Sequence, residues 1–300
     1  MKFSVESWAP EYGVPAQTTE AAQPADAFVE VDMDSWGPML PDVDPAGEVL
    51  FVDGVRRVDA NVWIEVPGRA AALGLCAVYA AGAVLCNETA QVVESAVDRG
   101  LFTSAPGAED LVTAHGVYAV RATPGGTPEE LWLGIQQRMG ELEGRVAAAW
   151  SGSAVVVVDG PLSHRRHVAG AVGYIKTQHV QYLPDHLHST LSGLAAGRRT
   201  PLFLIGGGWS RYSWYARLAV GESPLSGIVR CEITADHAIG EAARIADRMT
   251  ATLPRYSSDA HKDARAPQNL YPIGGLERAL RRRLGDPQLM FRALRVASRG

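Results

Sequence analysis

Apolar positions recur along the chain in two periods, and they predict a mixture of strands and helices. An apolar run over 49–53 and an alternating run over 58–64 predict two strands that are separated at Asp53-Gly54. The stretch 70–86 is apolar almost throughout and predicts a buried strand pair with a turn near Ala81-Gly82. Four further strands are predicted farther along the chain, at 154–159, 172–176, 201–205 and 227–233.

Helical periodicity is clearest between Pro128 and Trp150. Thr127 suits the N-cap, proline suits the first helical position, and two acids follow in the first turn. Two more helices are predicted at 186–196 and 238–253. Strands and helices in this order predict an α/β protein in which helices pack on a mixed sheet. The apolar stripe of the first helix is predicted to contain Trp132, Ile135, Met139, Leu142, Val146 and Ala149.

Residues 1–48 differ in composition from the rest and predict an irregular acidic N-terminal arm before a single domain over 49–300. The arm carries six prolines, and the first fifty residues hold ten acids against one base. Such a composition disfavours regular structure, so at most one short strand or turn is expected there.

The arginines are concentrated towards the C-terminus, although the whole chain has a net charge of −5. Residues 51–300 carry a net charge of +4, and the stretch 278–300 has seven arginines against one acid. Local potential steers a polyanion more than total charge does, so this distribution is compatible with nucleic-acid binding. A solvated helix face is the alternative interpretation of the same arginines.

The sequence predicts a cytoplasmic protein without a membrane span. It has no run of eighteen apolar residues, and its N-terminus lacks the basic and apolar segments of a secretory signal. The three cysteines, Cys76, Cys86 and Cys231, are scattered and form no C-x-x-C pair. They fit buried thiols in a reducing compartment better than a disulfide framework or structural zinc.

Two apolar runs end in Asp-Gly, at Asp53-Gly54 and Asp159-Gly160. A carboxylate at a strand tip emerges where the sheet meets solvent, and glycine allows a ligand or backbone to approach closely. Two such tips on neighbouring strands would place two like charges together unless a divalent cation lies between them. Oxygen-only ligands favour Mg²⁺ or Mn²⁺ over zinc. An ordinary turn at each Asp-Gly is the alternative.

A third acid is expected from the helix that precedes Asp159. Glu143 lies one turn after Met139 and borders the apolar stripe, whereas Glu141 lies farther round the helix. Both residues therefore stay candidates as catalytic acids, and a purely solvated role is the alternative for each.

Short motifs follow one another in a definite order over about 50–286, and in this order they resemble the NurA nucleases. That family has an RNase H-like fold and cuts DNA with Mn²⁺ or Mg²⁺. The motifs are Phe51-Val-Asp53-Gly-Val-Arg56-Arg57, Arg138-Met-Gly-Glu141-Leu-Glu143, Val158-Asp159-Gly-Pro-Leu162, Val172-Gly-Tyr-Ile-Lys176, Trp214-Tyr-Ala-Arg217, Gly227-Ile-Val-Arg230-Cys-Glu232 and Ala266-Pro-Gln-Asn269-Leu-Tyr271-Pro272.

The resemblance implies a divalent-metal site in which Asp53 and Asp159 are ligands and Glu141 is the third. It also implies that Lys176 approaches the scissile phosphate as a fixed positive charge. The resemblance also implies a homodimer that encloses DNA and docks on a HerA-type hexameric ATPase. Such a complex would act in DNA end processing or defence. The candidate phosphate contacts are Arg56, Arg165, Arg166, Arg198, Arg199, Arg281, Arg282 and Arg283.

The chain departs from the family after Tyr271-Pro272, where the family carries a helix with a metal-binding histidine. The corresponding segment here, 275–280, has no histidine, and His261 or Glu277 are the candidate substitutes. A fold that has lost its metal and acts as a DNA-binding scaffold is therefore the alternative to an active nuclease. A related enzyme acting on RNA or a hybrid duplex is a weaker alternative.

The arginine cluster generates a prediction about DNA binding. Replacing Arg281, Arg282 and Arg283 together with alanine should weaken the binding of any DNA sequence and flatten its dependence on salt, because phosphate contacts release counterions but read no bases. Affinity measured over a series of salt concentrations tests this. Unchanged affinity together with a lower melting temperature would show that these arginines support the fold instead.

Overall fold

The computed structural model describes residues 25–298 apart from 66, 67, 69, 151, 153, 164, 178, 179 and 222. The chain is an α/β protein with a large mixed sheet flanked by helices. Two compact units can be distinguished within the described residues. The first comprises the chain up to residue 51 together with 85–91 and 151–274, and the second comprises 52–84, 92–150 and the chain from residue 275.

The described residues form ten strands and five α-helices. The strands are β1 (Val49–Ile64), β2 (Ala72–Cys86), β3 (Ala90–Thr103), β4 (Leu111–Thr113), β5 (Gly116–Ala122), β6 (Val155–Asp159), β7 (Ala171–Ile175), β8 (Phe203–Ile205), β9 (Arg211–Arg217) and β10 (Ile228–Thr234). The helices are α1 (Pro128–Ala148), α2 (Asp185–His188), α3 (Ile239–Thr252), α4 (Tyr271–Arg283) and α5 (Pro287–Ala297), with 3₁₀ turns at Ser189–Gly193 and Leu253–Tyr256. Among the described residues, no helix is both long and apolar enough to cross a membrane.

In the first unit the strands follow the order β1-β6-β7-β10-β9-β8, where β1 contributes its first residues. Strands β6 and β7 are parallel, with Asp159 opposite Tyr174, and the remaining pairs from β7 to β8 are antiparallel. Strand β6 is buried along its centre, as its continuous run of valines predicts. Its C-terminal end therefore delivers Asp159 to an edge of the sheet that β7 also reaches.

In the second unit the order is β4-β5-β3-β2-β1, with β3 and β5 parallel and β4 and β5 antiparallel. Helix α5 packs on β4. Helix α1 begins at the expected N-cap, where Thr127 and Glu130 form a capping box. Its buried face contains Leu131, Ile135, Met139, Leu142 and Val146. The predicted stripe was wrong at Trp132, which is 38% exposed, because the adjacent Leu131 fills the core instead. It was also wrong at Ala149, which is exposed because it caps the helix after its last residue.

The predicted break at Asp53-Gly54 was wrong, because β1 runs through it without interruption. Gly54 is not among the glycines with positive φ, so no turn is needed there. A Cβ at Gly54 would lie 2.3 Å from the Glu143 carboxylate and 2.9 Å from Met139. A side chain at this position would therefore have to displace Glu143 and Met139 of α1, and Asp53 lies within a strand instead of at its tip.

The predicted turn at Ala81-Gly82 was wrong for a similar reason, since β2 is one continuous strand. A Cβ at Gly82 would lie 3.0 Å from both Leu276 and Leu280 of α4. Here too, a glycine that resembles a turn signal in the sequence lies within a strand, where helix side chains pack closely against it.

Other secondary-structure predictions had mixed outcomes. Strands β6, β7, β8 and β10 and helices α1 and α3 are confirmed with small changes at their ends. Strands β3, β4, β5 and β9 were not predicted, because polar residues interrupt their apolar patterns. The helix expected over 186–196 is only the short α2 followed by a 3₁₀ turn.

The described part of the N-terminal arm packs on the first unit through Arg199. Residues 1–24 of the predicted arm lie outside the described residues. The Arg199 guanidinium is fully buried and donates to Glu30 at 2.8 Å and to Asp247 at 2.7 Å. Glu30 also accepts from the backbone N–H of Leu202 at 2.6 Å. Arg199 therefore holds the arm in place, and its prediction as a phosphate contact was wrong, because no part of its side chain reaches the surface.

This ion-pair network generates a prediction about stability. Arg199→Met should lower the free energy of unfolding by about 3 kcal/mol, because the buried Glu30 carboxylate would lose its partner. Urea unfolding measures the change, and the same substitution at the less buried Arg198 serves as the control. Equal stability of the two variants would contradict a stabilising role for the network.

Candidate metal centre

In the first unit, the candidate residues lie where the parallel strands β6 and β7 end. Asp159 is the last residue of β6, and Lys176 follows the end of β7 directly. Because parallel strands finish at the same edge, the two side chains meet, and Lys176 Nζ donates to Asp159 Oδ2 at 2.7 Å. Both side chains keep some exposure, 18% for the aspartate and 12% for the lysine. A polar, charge-paired carboxylate is thus accessible at this edge.

Gly160 shapes the backbone directly after Asp159. It has a φ of +95°, which glycine adopts without the steric penalty that a side chain brings, and its N–H donates to the Tyr174 carbonyl at 2.7 Å. The chain therefore turns sharply at this glycine and leaves the carboxylate of Asp159 at the end of the strand. The second Asp-Gly motif thus fits the predicted strand end, unlike the first.

A polar chain continues from Lys176 into the loop before α4. Lys176 also donates to Asn269 Oδ1 at 3.1 Å, and the Asn269 amide donates to the Asp263 carboxylate. Burial raises the pKa of Asp263, but the hydrogen bonds from Asn269 and Arg265 and the positive charges of Arg265 and Lys176 outweigh it and lower the pKa overall. Sequence reasoning missed Asp263, and Asn269 entered it only as part of a motif.

A second polar cluster supports the loop that follows Asp159. The fully buried Glu232 accepts from the Leu162 backbone N–H at 2.7 Å and from Arg230 at 2.7 Å. Arg211 lies 3.4 Å from the same carboxylate. Glu232 therefore fixes the loop and is itself neutralised by two buried arginines. An arginine and a glutamate two residues apart in an otherwise apolar strand were the available sequence signal for this cluster.

The two arginines predicted after the second Asp-Gly differ in exposure. Arg165 is only 6% exposed and donates to the Pro161 carbonyl at 2.7 Å, so it helps to shape the loop. Arg166 is exposed. Of this pair, Arg166 is the residue that presents its charge to solvent.

In the second unit, Asp53 and Gly54 lie in β1 beside the helix α1. Asp53 is 6% exposed, and Glu143 of α1 is 1% exposed and lies against Gly54. Arg56 follows on the same strand, with its guanidinium 5.6 Å from the centre of the Trp132 ring. Burial lowers the pKa of Arg56, and the negative charge of Glu143 opposes that shift. Arg56 is thus partly withdrawn from solvent by its surroundings.

The structure separates the two candidate acids of α1. Glu141 points to the helix surface, where Arg138 donates to it at 2.9 Å and Gln137 at 3.1 Å. Glu143 is buried against Gly54. Of the two, Glu143 is the acid that lies beside the Asp53-Gly54 segment, as the apolar stripe of the helix indicated.

The candidates in the C-terminal part of the second unit lie on two faces of α4. Leu276, Leu280 and the following Leu284 are buried. Glu277 is 16% exposed in its side chain and lies 3.9 Å from Arg281. The three arginines 281–283 are exposed, and Arg283 donates to Ser95. His261, the other proposed substitute for the missing histidine, is exposed in the loop of the first unit.

Comparisons with known proteins add no assignment. No protein-family model matches the chain, and no curated protein matches it.

The contrast between the two helical acids generates a prediction. If the divalent-metal nuclease site implied by the motif resemblance is present, Glu143→Gln should lower Mn²⁺-dependent DNA hydrolysis about tenfold or more, as expected for loss of a carboxylate beside a metal site. Glu141→Gln should change the rate by less than about twofold, because an exposed i,i+3 ion pair contributes little. Initial rates on linear duplex DNA compare the two variants. Equal losses, or a larger loss for Glu141→Gln, would contradict the assignment.

Proposed function

We propose that this chain is a divalent-metal-dependent deoxyribonuclease that hydrolyses phosphodiester bonds. The observation that carries the proposal is a pair of carboxylates in the second unit, Asp53 and Glu277. One carboxylate oxygen of Asp53 lies within 4.8 Å of one of Glu277. The motif resemblance adds Asp159 as a further ligand. Glu277 occupies the helix in which the NurA nucleases, which the sequence resembles, carry a metal-binding histidine.

The donor set favours a hard cation. Two carboxylates this close repel one another, and a divalent cation is the usual means by which proteins stabilise such a pair. Oxygen-only donors fit Mg²⁺ or Mn²⁺, and they do not fit zinc sites built from cysteine and histidine. When bound, such a cation would supply Lewis-acid stabilisation of the charge that develops on the phosphate.

Lys176 supports the assignment to phosphate chemistry. Its ammonium is held at Asp159 by a 2.7 Å contact, so a positive charge stands next to the Asp159 carboxylate. A fixed cation in a partly desolvated position stabilises negative charge on a phosphate oxygen more than a mobile surface lysine does. The proposed role of Lys176 is to bind and orient the scissile phosphate.

The exposed arginines support DNA as the substrate. Arg166 and the cluster 281–283 are accessible for phosphate contacts, which fix position without reading sequence. An RNase H-like fold, a homodimer and a HerA-type ATPase partner belong to the same proposal, and they rest on the motif resemblance alone.

Metal binding and hydrolysis test the proposal together. Mn²⁺ should bind the wild-type chain, and Asp159→Asn should weaken its affinity about tenfold or more, because it removes a charged ligand. The same variant should abolish hydrolysis of linear duplex DNA. Asp236→Asn, at an exposed position, is the matched control and should change neither result. Titration calorimetry with Mn²⁺ and a gel assay for cleavage provide the measurements.

The outcomes separate the proposal from its alternative. Mn²⁺ binding that depends on Asp159 without any DNA cleavage would favour a metal-binding scaffold over a nuclease. Absence of specific Mn²⁺ binding, or binding that Asp159→Asn leaves unchanged, would overturn the metal site itself.

A further inference from the structure

We infer that Asn269, held by Asp263, is the positioning residue that fixes the ammonium group of Lys176 against Asp159. This inference rests on the proposed function, in which Lys176 faces the phosphate. All four residues belong to the first unit, and they form one chain of contacts from Asp263 to Asp159.

The orientation of the Asn269 amide follows from its partners. Lysine has only donors, so the oxygen of the amide must face Lys176, where the distance is 3.1 Å. An ionised carboxylate has only acceptors, so the amide NH₂ must face Asp263. Asparagine satisfies both neighbours at once. A leucine would leave both unpaired, and an aspartate would place two carboxylates against each other.

The backbone around Asn269 is fixed on several sides. Its N–H donates to the Arg265 carbonyl at 3.0 Å, and its carbonyl accepts from Ser258 at 2.9 Å. The neighbouring Gln268 carbonyl accepts from the Tyr174 hydroxyl of β7 at 2.5 Å. Asn269 is 1% exposed, so its amide has little room to rotate. The loop before α4 is thus tied to the strand that precedes Lys176.

These contacts restrict the position of the Lys176 ammonium group and the direction of its third N–H bond. Lysine carries three N–H donors on a flexible four-carbon stem, and Asp159 and Asn269 engage two of them. With these two acceptors among the described residues, the third donor is left for a phosphate oxygen. Without Asn269, only Asp159 would hold the ammonium, and its direction would no longer be set.

Lysine reactivity tests the inference without relying on catalysis. The chain has only three lysines, Lys2, Lys176 and Lys262, so the folded protein can be acylated and then digested, and the modification of each lysine can be followed by mass spectrometry of the peptides. Lys262, whose side chain is 58% exposed, provides the internal reference. At one fixed pH, Asn269→Ala should raise the acylation rate of Lys176 relative to Lys262 about tenfold, as expected for loss of a hydrogen bond to a charged group.

Matched variants distinguish positioning from folding. Asn61→Ala, at an exposed position in β1, should leave the ratio unchanged. Asp263→Ala should raise the ratio, and Asp263→Asn should restore it, because the new amide oxygen can still accept from Asn269. This pair also carries the test if Asn269→Ala does not fold. An unchanged ratio in folded Asn269→Ala, or in Asp263→Ala, would overturn the inference.

Kinetics provide the functional half of the test. Asn269→Ala should lower kcat for DNA cleavage about tenfold with little change in KM, and it should have no further effect in a Lys176→Ala background. An additional loss in that background would overturn action through Lys176. If the wild-type chain cleaves no DNA, the proposed function fails, whereas the acylation ratio still decides whether Asn269 positions Lys176.

Discussion

Burial of carboxylates is the constraint on which much of this structure depends, because a buried charge is tolerated only with a compensating partner. In the first unit, Glu232 is compensated by two arginines and Glu30 by Arg199. In the second unit, Arg57 pairs with the buried Asp59 at 2.7 Å. Asp159 is compensated differently, by a single lysine at a partly exposed sheet edge. That exposure leaves its carboxylate accessible to a ligand.

The fold was predictable where one local pattern determined one element. The valine run before Asp159 and the capping signal at Thr127 both led to the observed elements. Gly54 and Gly82 were wrongly predicted to break their strands. A glycine in a turn and a glycine packed against a helix cannot be distinguished in the sequence. The difference lies in Glu143, Met139 and the leucines of α4, which are distant in the chain.

The candidate site was predictable to a similar extent. Asp159 and Lys176 were named from motifs, and their contact follows from the parallel pairing of β6 and β7. The support provided by Asp263 and Asn269 was not foreseen, since a contact between residues 93 positions apart leaves no periodic signal. The buried Arg199 shows the reverse error, in which charge alone was taken for a surface role.

We propose that Asp53 and Glu277 hold one divalent cation, and the assignment of metal-dependent chemistry depends on this site. Diffraction from crystals soaked in Mn²⁺, recorded for anomalous scattering, tests it most directly. The expected result is one strong anomalous peak with carboxylate oxygens of both residues at roughly 2.0–2.6 Å, the range for hard cations with oxygen ligands. A saturating soak that gives no peak among these carboxylates, or a peak only at other acidic side chains, would contradict the account.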